Sequence, residues 1–201
     1  MTQIAFIGGG NMATSIIGGL IREGSVRADL IHVSDPGAEQ RDALQSKFNV
    51  VTHDDNLDAI ANAGVVIIAV KPQMMGEALP NLAAHMGRET LVISVAAGTP
   101  IARFEAEFGA STKIIRAMPN TPAAIGRGIT ALIGNGQCSQ ADLELGETLL
   151  SAVGQVVRLE TEDQIDAVTG VSGSGPAYVF YMIDCLAAAA RAEGLPDAMA
   201  M

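Results

Sequence analysis

The sequence predicts an α/β protein in which a mostly parallel sheet is covered by helices on both faces, followed by the start of an all-helical domain. Three observations predict it. Apolar, β-branched segments alternate with amphipathic helical patterns as far as residue 161, a glycine-rich turn joins the first strand to the first helix, and 162–201 shows no strand pattern. Such alternation is typical of βαβ units and of a Rossmann-type domain. We therefore predict two domains, 1–161 and 162–201.

The first strands and helices follow one another in regular order. The segment 64–70, GVVIIAV, is the clearest strand, because a central parallel strand is buried on both faces and is therefore apolar throughout. The helix at 11–23 is apolar on one face and is followed by Gly24, a common helix stop. The predicted strands are 4–8, 30–34, 64–70, 90–96 and 113–118, with a short one at 50–51. The predicted helices are 11–23, 38–48, 56–62, 74–86 and 100–108.

Two further apolar runs, 129–133 and 153–159, enclose a helix predicted at 139–153. Ser139 is suited to the N-cap of this helix, and Asp142 follows three residues later, as in a capping box.

Beyond residue 161 the pattern becomes helical. We predict a short helix at 162–169, a Ser/Gly/Pro hinge, a long helix at 176–193, and the first turn of another helix before Met201. Because that last helix has only begun, we expect a further segment to complete the domain.

Composition excludes several classes of protein. The chain carries 12 basic and 22 acidic residues, a net charge of −10, which disfavours binding to a nucleic-acid backbone. No apolar run approaches the length of about 20 residues that a membrane span needs, and no signal peptide precedes the first strand. Two distant cysteines, Cys138 and Cys185, indicate free thiols in a reducing, cytoplasmic location. His32, His53 and His85 are scattered, so we expect surface histidines and no metal site.

The glycine-rich turn matches a dinucleotide-binding fingerprint. Gly8, Gly10 and Ala13 have the G-x-G-x-x-A spacing between a predicted strand and a predicted helix. Gly10 lacks a Cβ that would obstruct a diphosphate, and the helix that begins near Asn11 offers free N–H groups and a partial positive charge. The alternative is a tight glycine-rich turn without a ligand.

The breaks after the predicted parallel strands contain Gly, Pro and polar residues. In a parallel sheet these breaks lie at one edge, where ligands of open α/β sheets bind. We therefore expect a ligand site that draws on several loops. The breaks are 8–10, 34–36, 71–72, 96–98 and 118–122.

Asp35 follows the second strand, 27 residues after Gly8, near the usual place of an acidic residue that binds the ribose 2′-hydroxyl of NAD. Ser34 and Arg41 are compatible instead with the 2′-phosphate of NADP. Asp35 could also serve only as a cap for the next helix. The residues leave this choice open.

Other polar residues at this edge permit two readings each. Lys71 could line a cofactor cleft or emerge as a charge at the tip of a strand. Asn120, between two prolines, could orient a substrate or make an Asx-turn. Around Pro176, the residues Ser172, Ser174 and Gly175 could form a second anion site for a substrate carboxylate, or only a helix cap.

Five segments in order and spacing resemble pyrroline-5-carboxylate reductases: FIGGGNMA, AVKPQ, SVAAG, MPNTP and DAVTGVSGSGPAYVF. The resemblance covers the whole chain. It implies a Rossmann-type domain followed by a helical domain through which subunits form homodimers or larger homo-oligomers. It also implies reduction of 1-pyrroline-5-carboxylate to L-proline, the last step of proline biosynthesis. The cofactor it implies is NADPH, with NADH accepted by many members.

The resemblance also implies the cofactor contacts. The glycine-rich turn would hold the diphosphate, the second strand end and Asn56 would lie near the adenosine, and two later turns would flank the nicotinamide. The residues concerned are Ile7, Gly8, Gly9, Gly10, Asn11, Met12, Ser34, Asp35, Asn56, Ala69, Val70, Lys71, Pro72, Val95, Ala96 and Ala97.

Family members continue with further helices that carry a carboxylate-binding loop and a threonine near the imine nitrogen. Neither lies within 1–201, so no catalytic residue is assigned, and the chain as written is expected to be inactive. Two alternatives remain: another small-substrate NAD(P) oxidoreductase, and a non-catalytic dinucleotide-binding module.

Overall fold

A computed structural model describes residues 2–80 and 82–201. Its centre is an eight-stranded sheet with the order β3-β2-β1-β4-β5-β6-β7-β8. The strands are β1 (Gln3–Ile7), β2 (Ile31–Ser34), β3 (Val51–His53), β4 (Ala63–Ile68), β5 (Leu91–Ser94), β6 (Lys113–Met118), β7 (Gly128–Gly134) and β8 (Gly154–Arg158).

The first six strands are parallel throughout, and their order is that of a Rossmann-type doubly wound sheet. The chain runs outward from β1 to β3 and then returns to the other side of β1 through β4. This reversal places a crevice beyond the C-terminal ends of β1 and β4. The predicted fold class is confirmed.

Helices cover both faces of the sheet and bury two apolar clusters, one on each side. Phe6 and Ile67 point into the first cluster, whereas Ile7 and Ile68 point into the second, as the alternation of a strand requires. The α-helices are α1 (Asn11–Arg22), α2 (Ala38–Phe48), α3 (Asn56–Ile60), α4 (Met75–Ala78), α5 (Leu82–His85), α6 (Ile101–Phe108), α7 (Gln140–Ser151), α8 (Gln164–Val168), α9 (Gly175–Ala192) and α10 (Asp197–Ala200).

The helix predicted at 74–86 is wrong as a single element. The segment forms a 3₁₀ turn, Pro72–Met74, and the two short helices α4 and α5. Pro80 lies between these helices and cannot donate the backbone hydrogen bond that a continuous helix requires. The prediction also included Asn81, which lies outside the described residues.

The apolar runs predicted after residue 128 form two strands that extend the sheet. β7 pairs antiparallel with β6, and β8 pairs parallel with β7. The backbones meet closely where these strands begin: a Cβ built on Gly154, which has φ +143°, would lie 2.0 Å from the Gly128 carbonyl oxygen. Between the strands, Ser139 and Asp142 form the predicted capping box of α7.

The predicted hinge in the helical segment is wrong, because the chain continues there as a π-helical turn, Thr169–Gly173. The Ser174 N–H donates to the Thr169 carbonyl at 2.8 Å, five residues back. Ser174 occupies the N-cap position of α9, as predicted, but it has helical dihedral angles and its side chain makes no capping hydrogen bond. Pro176 does lie in the first turn of α9, as predicted.

An ion pair ties the helical segment to the sheet. Arg116 of β6 is buried, with 7% of its side chain exposed, and its Nη1 donates to Glu162 Oε1 at 2.7 Å. The same carboxylate oxygen accepts from the Ile101 N–H at 2.8 Å, at the start of α6. Asp166 is a second, more distant partner of Arg116, at 3.6 Å. Glu162 thus joins the beginning of the helical segment to β6 and α6, at residues 46 and 61 positions earlier in the chain.

Helix α9 is apolar and largely uncovered. Tyr178, Phe180, Tyr181 and Leu186 each expose more than half of their surface, up to 74% for Tyr181. In the part of the chain that the structure describes, no helix combines the length and hydropathy that crossing a bilayer requires. An exposed apolar surface of this extent is typical of a protein–protein contact.

The sequence led us to expect His32 and His53 as separate surface residues, and this expectation is wrong. The β2–β3 pairing brings them together, and His32 Nδ1 lies 2.9 Å from His53 Nε2. The ring centroids are 5.1 Å apart with planes 16° from parallel, so one ring must donate and the other accept. Burial, and then the charge of His53, lower the pKa of His32, while a hydrogen bond to the Asp29 backbone raises it.

We expect this pair to make the fold less stable in mild acid. Because the pKa of His32 is lower in the folded chain, the unfolded chain binds the proton first as the pH falls through about 6.5. The free energy of unfolding should therefore decrease between about pH 7.5 and pH 5, and the decrease should be smaller in His53→Gln. Urea unfolding at several pH values measures this, with His85→Gln as the matched control. An equal decrease in both variants would contradict the prediction.

Candidate functional site

The glycine-rich loop between β1 and α1 contains two glycines with different requirements. Gly8 has φ +94°, and a Cβ there would lie 3.0 Å from the Ala69 carbonyl oxygen. Gly10 has φ −64° and ψ −171°, which any residue adopts, and a Cβ there would meet nothing within 4 Å. The protein's own packing therefore explains Gly8 but not Gly10. Gly10 leaves open space in front of the loop.

Helix α1 begins at this open space. Gly10 is its N-cap, no side chain caps its first turn, and that turn contains no acidic residue. The first N–H groups of such a helix have no partner within the helix and carry a partial positive charge. The arrangement suits an anion such as a diphosphate.

A cavity of about 790 Å³ lies beyond the C-terminal ends of β1, β2 and β4, and we call it the edge cavity. Its volume falls within the range of small-molecule sites. It is lined by Gly8, Gly10, Ser34, Asp35, Pro36, Asp54, Asp55, Asn56, Ala69, Val70, Lys71, Met74, Glu77 and Ala78.

Asp35 lies in this cavity with both carboxylate oxygens engaged. Oδ2 accepts from the Gly9 N–H and Oδ1 from the Gly37 N–H, each at 2.9 Å. The carboxylate therefore joins the glycine-rich loop to the turn after β2. The contact to Gly37, two residues on, is an Asx-turn and not the predicted cap, because Gly37 is the N-cap of α2 and no side chain caps that helix.

Ser34 and Asn56 form the floor of the same region. The Ser34 hydroxyl is buried and donates to Asn56 Oδ1 at 2.6 Å, and Asn56 Nδ2 donates to the Ala78 carbonyl at 3.3 Å. Ser34 thus holds Asn56 in place, and its hydroxyl faces inward.

Eight of the predicted cofactor residues line the edge cavity, and the other eight lie outside it. Ile7 and Gly9 are buried behind the loop, and Asn11 and Met12 line a separate cavity on the other side of α1. Pro72 is exposed next to Lys71, and 95–97 follows β5, the neighbour of β4.

Sequence reasoning missed several residues of the cavity wall. Asp54 and Asp55 follow β3 at the same edge, so the edge argument could have found them. Met74 ends the 3₁₀ turn after β4, Glu77 and Ala78 belong to α4, and no sequence signal placed these elements over the cavity.

Both polar atoms of the Asn120 carboxamide are engaged within the protein. Its Nδ2 donates to the Ser172 carbonyl at 3.1 Å, and its Oδ1 accepts from the Ile129 N–H at 2.9 Å. The side chain is therefore a bridge between β7 and the π-helical turn, and it makes no Asx-turn. Gly173 of that turn packs against Met118 at the end of β6, where a Cβ would lie 2.9 Å from the Met118 methyl carbon.

Ser172, Ser174 and Gly175 are half-buried in or next to the π-helical turn. The Ser172 hydroxyl donates to the Val168 carbonyl at 3.3 Å, within the helix. The Ser174 N–H is engaged with the Thr169 carbonyl, and the second anion site stays a prediction.

Two family models match the chain. Residues 3–98 match the model described as NADP oxidoreductase coenzyme F420-dependent, and residues 162–201 match pyrroline-5-carboxylate reductase dimerisation.

Individual relatives cover almost the whole chain. The pyrroline-5-carboxylate reductase of Pseudomonas aeruginosa is 47% identical over 193 residues, which are 96% of this chain and 70% of the relative. A reductase of the same name from Coxiella burnetii has a TM-score of 0.90 at 37% identity, covering 99% of this chain and 74% of that one. A pyrroline carboxylate reductase of Plasmodium falciparum with NADP bound has a TM-score of 0.88 at 24% identity, with 99% and 72% covered, and shows the fold alone.

A doubly wound sheet with an uncapped helix over Gly10 at its switch point defines a Rossmann-type domain, and the matched family model makes it an oxidoreductase. Within that class, the similarity along the whole chain decides the family. The chain belongs to the pyrroline-5-carboxylate reductases, as the sequence predicted.

Proposed function

We propose that this protein reduces 1-pyrroline-5-carboxylate to L-proline, the last step of proline biosynthesis, with NADPH or NADH bound in the edge cavity. The observation that carries the proposal is Gly10. No contact within the protein requires a glycine there, and the space that a side chain would fill lies in front of the free N–H groups of α1. A dinucleotide diphosphate fits both features.

The chain's residues would hold the cofactor in an extended arrangement along the edge. The glycine-rich loop and the start of α1 bind the diphosphate, Asp35 faces the adenosine ribose, and Asn56, fixed by Ser34, lies beside it. We place the nicotinamide near the turns 69–72 and 95–97, which follow the neighbouring strands β4 and β5. A reduced nicotinamide supplies hydride when bound, so the protein's part is to position the substrate and exclude water.

We place the substrate beside the π-helical turn, near Ser172, Ser174 and Gly175. Asn120 supports this position because it ties the turn to the edge of the sheet. In this proposal Asn120 is a positioning residue, since both atoms of its carboxamide are engaged within the protein.

We also propose that residues 1–161 bind the dinucleotide and that 162–201 begin a helical domain through which two copies associate. The exposed apolar side of α9 supports this, as does the match of this segment to a dimerisation model. The cysteine usage of the sequence favours a cytoplasmic location.

The test is the disappearance of the near-ultraviolet absorbance of NADPH or NADH when the imine is added to the purified full-length protein. We expect oxidation with 1-pyrroline-5-carboxylate and none with small hydroxy acids, and light scattering of the same sample should give the mass of a dimer or larger assembly. Oxidation with hydroxy acids instead would indicate a different oxidoreductase. Nucleotide binding without turnover of any of them would indicate a binding module.

A further inference from the structure

We propose that Glu162 is a positioning residue for hydride transfer, because its carboxylate sets the place of the turn 95–100 relative to the helical segment. The inference rests on the proposed function, which places the nicotinamide beside 95–97 and the substrate beside the π-helical turn. In that arrangement Glu162 acts through the backbone that it holds, without contacting either group itself.

The first half of the turn 95–100 is fixed to the sheet by the chain around it. The Val95 N–H donates to the Ile68 carbonyl of β4 at 3.0 Å. The Ala96 N–H donates at 3.3 Å to the hydroxyl oxygen of Ser94, a fully buried residue at the end of β5. These contacts involve only the two central strands and do not depend on the helical segment.

The second half of the turn leads into α6, which its own sequence does not cap. The N-cap of this helix is Pro100, which makes no side-chain capping hydrogen bond, and the first helical turn contains no acidic residue. Instead, the Ile101 N–H donates to Glu162 Oε1 at 2.8 Å. A carboxylate in this place is also attracted by the partial positive charge of the helix start. The cap of α6 is therefore supplied by the helical segment.

Arg116 fixes the position of the Glu162 carboxylate relative to the sheet. It is paired in register with Ser94, the last residue of β5 before the turn, and only 7% of its side chain is exposed. Its Nη1 donates at 2.7 Å to the same Glu162 oxygen that accepts from Ile101. Because an unpaired guanidinium buried to this extent is costly, the carboxylate is held in place. One oxygen atom thus joins the sheet, the turn and the helical segment.

The substrate side of the proposed site is tied to the sheet separately. The helical segment runs from Glu162 through α8 to the π-helical turn, where Asn120 Nδ2 donates to the Ser172 carbonyl at 3.1 Å. Glu162 and Asn120 therefore set the two sides of the space between the nicotinamide and the imine. A displacement of about 1 Å between reacting groups lowers their rate by about 100-fold. The length of the Glu162 side chain should therefore affect the rate more than the cofactor affinity, which the edge cavity determines.

Two variants of the full-length protein separate position from charge. Glu162→Asp keeps the negative charge opposite Arg116 but is shorter by one carbon–carbon bond, about 1.5 Å, so that one oxygen cannot reach both partners in their present places. Glu162→Gln keeps the length and an oxygen acceptor but removes the charge. A positioning role predicts the larger functional loss in Glu162→Asp, whereas an ion pair that only stabilises the fold predicts it in Glu162→Gln.

Titration with NADPH measures its dissociation constant and the fluorescence of the bound nicotinamide, which rises when the ring is held rigidly. The rate of imine reduction gives kcat and KM. In Glu162→Asp we expect kcat to fall at least about tenfold and the emission of bound NADPH to approach that of the free cofactor, while the dissociation constant and the KM for NADPH change less than about threefold. In Glu162→Gln we expect kcat within about twofold of the unaltered protein and most of the emission retained.

Glu147→Asp is the matched control. The Glu147 side chain is 33% exposed, against 32% for Glu162, and it is likewise paired with a strand arginine, Arg158. This pair lies at β8, the edge strand of the sheet, away from the turn. The control variant should leave kcat and the emission of bound NADPH unchanged.

The inference is overturned if Glu162→Asp keeps the emission and kcat of the unaltered protein, if it fails to fold, or if Glu162→Gln loses as much. Equal losses in Glu147→Asp would also overturn it, because any helix–strand ion pair would then have the same effect. Failure of the unaltered protein to bind NADPH would overturn the cofactor assignment together with it. The expected emission changes without imine reduction by the unaltered protein would support the positioning role and overturn only the proposed reaction.

Discussion

Gly10→Val is expected to weaken dinucleotide binding by more than about 100-fold, or about 2.8 kcal/mol, while the fold remains intact. The valine would fill the space in front of α1 where the diphosphate would contact the backbone. The protein itself has nothing within 4 Å of that position, and φ −64° suits any residue. The free energy of unfolding should therefore fall by only about 1 kcal/mol, the cost of replacing glycine by valine at an N-cap.

Two measurements on one protein sample test this prediction: cofactor titration by fluorescence and unfolding in urea. Gly136→Val is the matched control, since Gly136 lies in an exposed loop away from the edge cavity. A Cβ at Gly136 would likewise have no other atom within 4 Å. The control should lose neither affinity nor stability. Unchanged affinity in Gly10→Val would refute the argument that a ligand approaches the backbone there, and with it the proposed cofactor site.

The second large effect is expected from Glu162→Ala, which should lower the free energy of unfolding by about 3 kcal/mol. The change leaves the buried Arg116 guanidinium with only Asp166, at 3.6 Å and largely exposed, and removes the acceptor for the Ile101 N–H. An unpaired buried charge accounts for most of the loss, and the partial exposure of Glu162 keeps it at the low end for such pairs.

Urea unfolding measures this loss, and the midpoint should fall by roughly 1 M. Glu162→Gln separates the contribution of the charge from that of the hydrogen bonds, because the glutamine amide oxygen can still accept from Arg116 and from the Ile101 N–H. We expect this variant to lose about half as much free energy of unfolding as Glu162→Ala. Equal stability of the alanine variant and the unaltered protein would show that the Arg116–Glu162 contact does not hold the helical segment to the sheet.

Local pattern was enough to predict most of the fold. The β-branched run at 64–70, the capping box at Ser139 and the glycine-rich turn each depend on interactions within a few residues, so the sequence carries them directly. The parallel order of the first strands followed from their spacing by helices, and with it the edge where the site lies. The break at Pro80 could have been predicted from the chemistry of proline, but the helix predicted at 74–86 ran through it.

The site itself was predictable in part. The spacing of Gly8 and Gly10 indicated where a diphosphate would lie, and Asp35 could be placed near the ribose. Motif spacing could not say that the Ser34 hydroxyl turns inward to Asn56 or that Asp35 is held by two N–H groups. Those facts depend on the rotamers that neighbouring elements allow.

The amino-acid order alone determined most of the elements, the family and the edge where the cavity lies, because each rests on short-range pattern or on motifs read in sequence. Only the packed structure decided that His32 meets His53, that Glu162 reaches Arg116 and Ile101, and that the chain passes through a π-helical turn where a hinge was expected. These contacts join residues from separate elements or depend on packing against a distant strand. Strand register and helix packing set their distances, and no local preference of the chain encodes them.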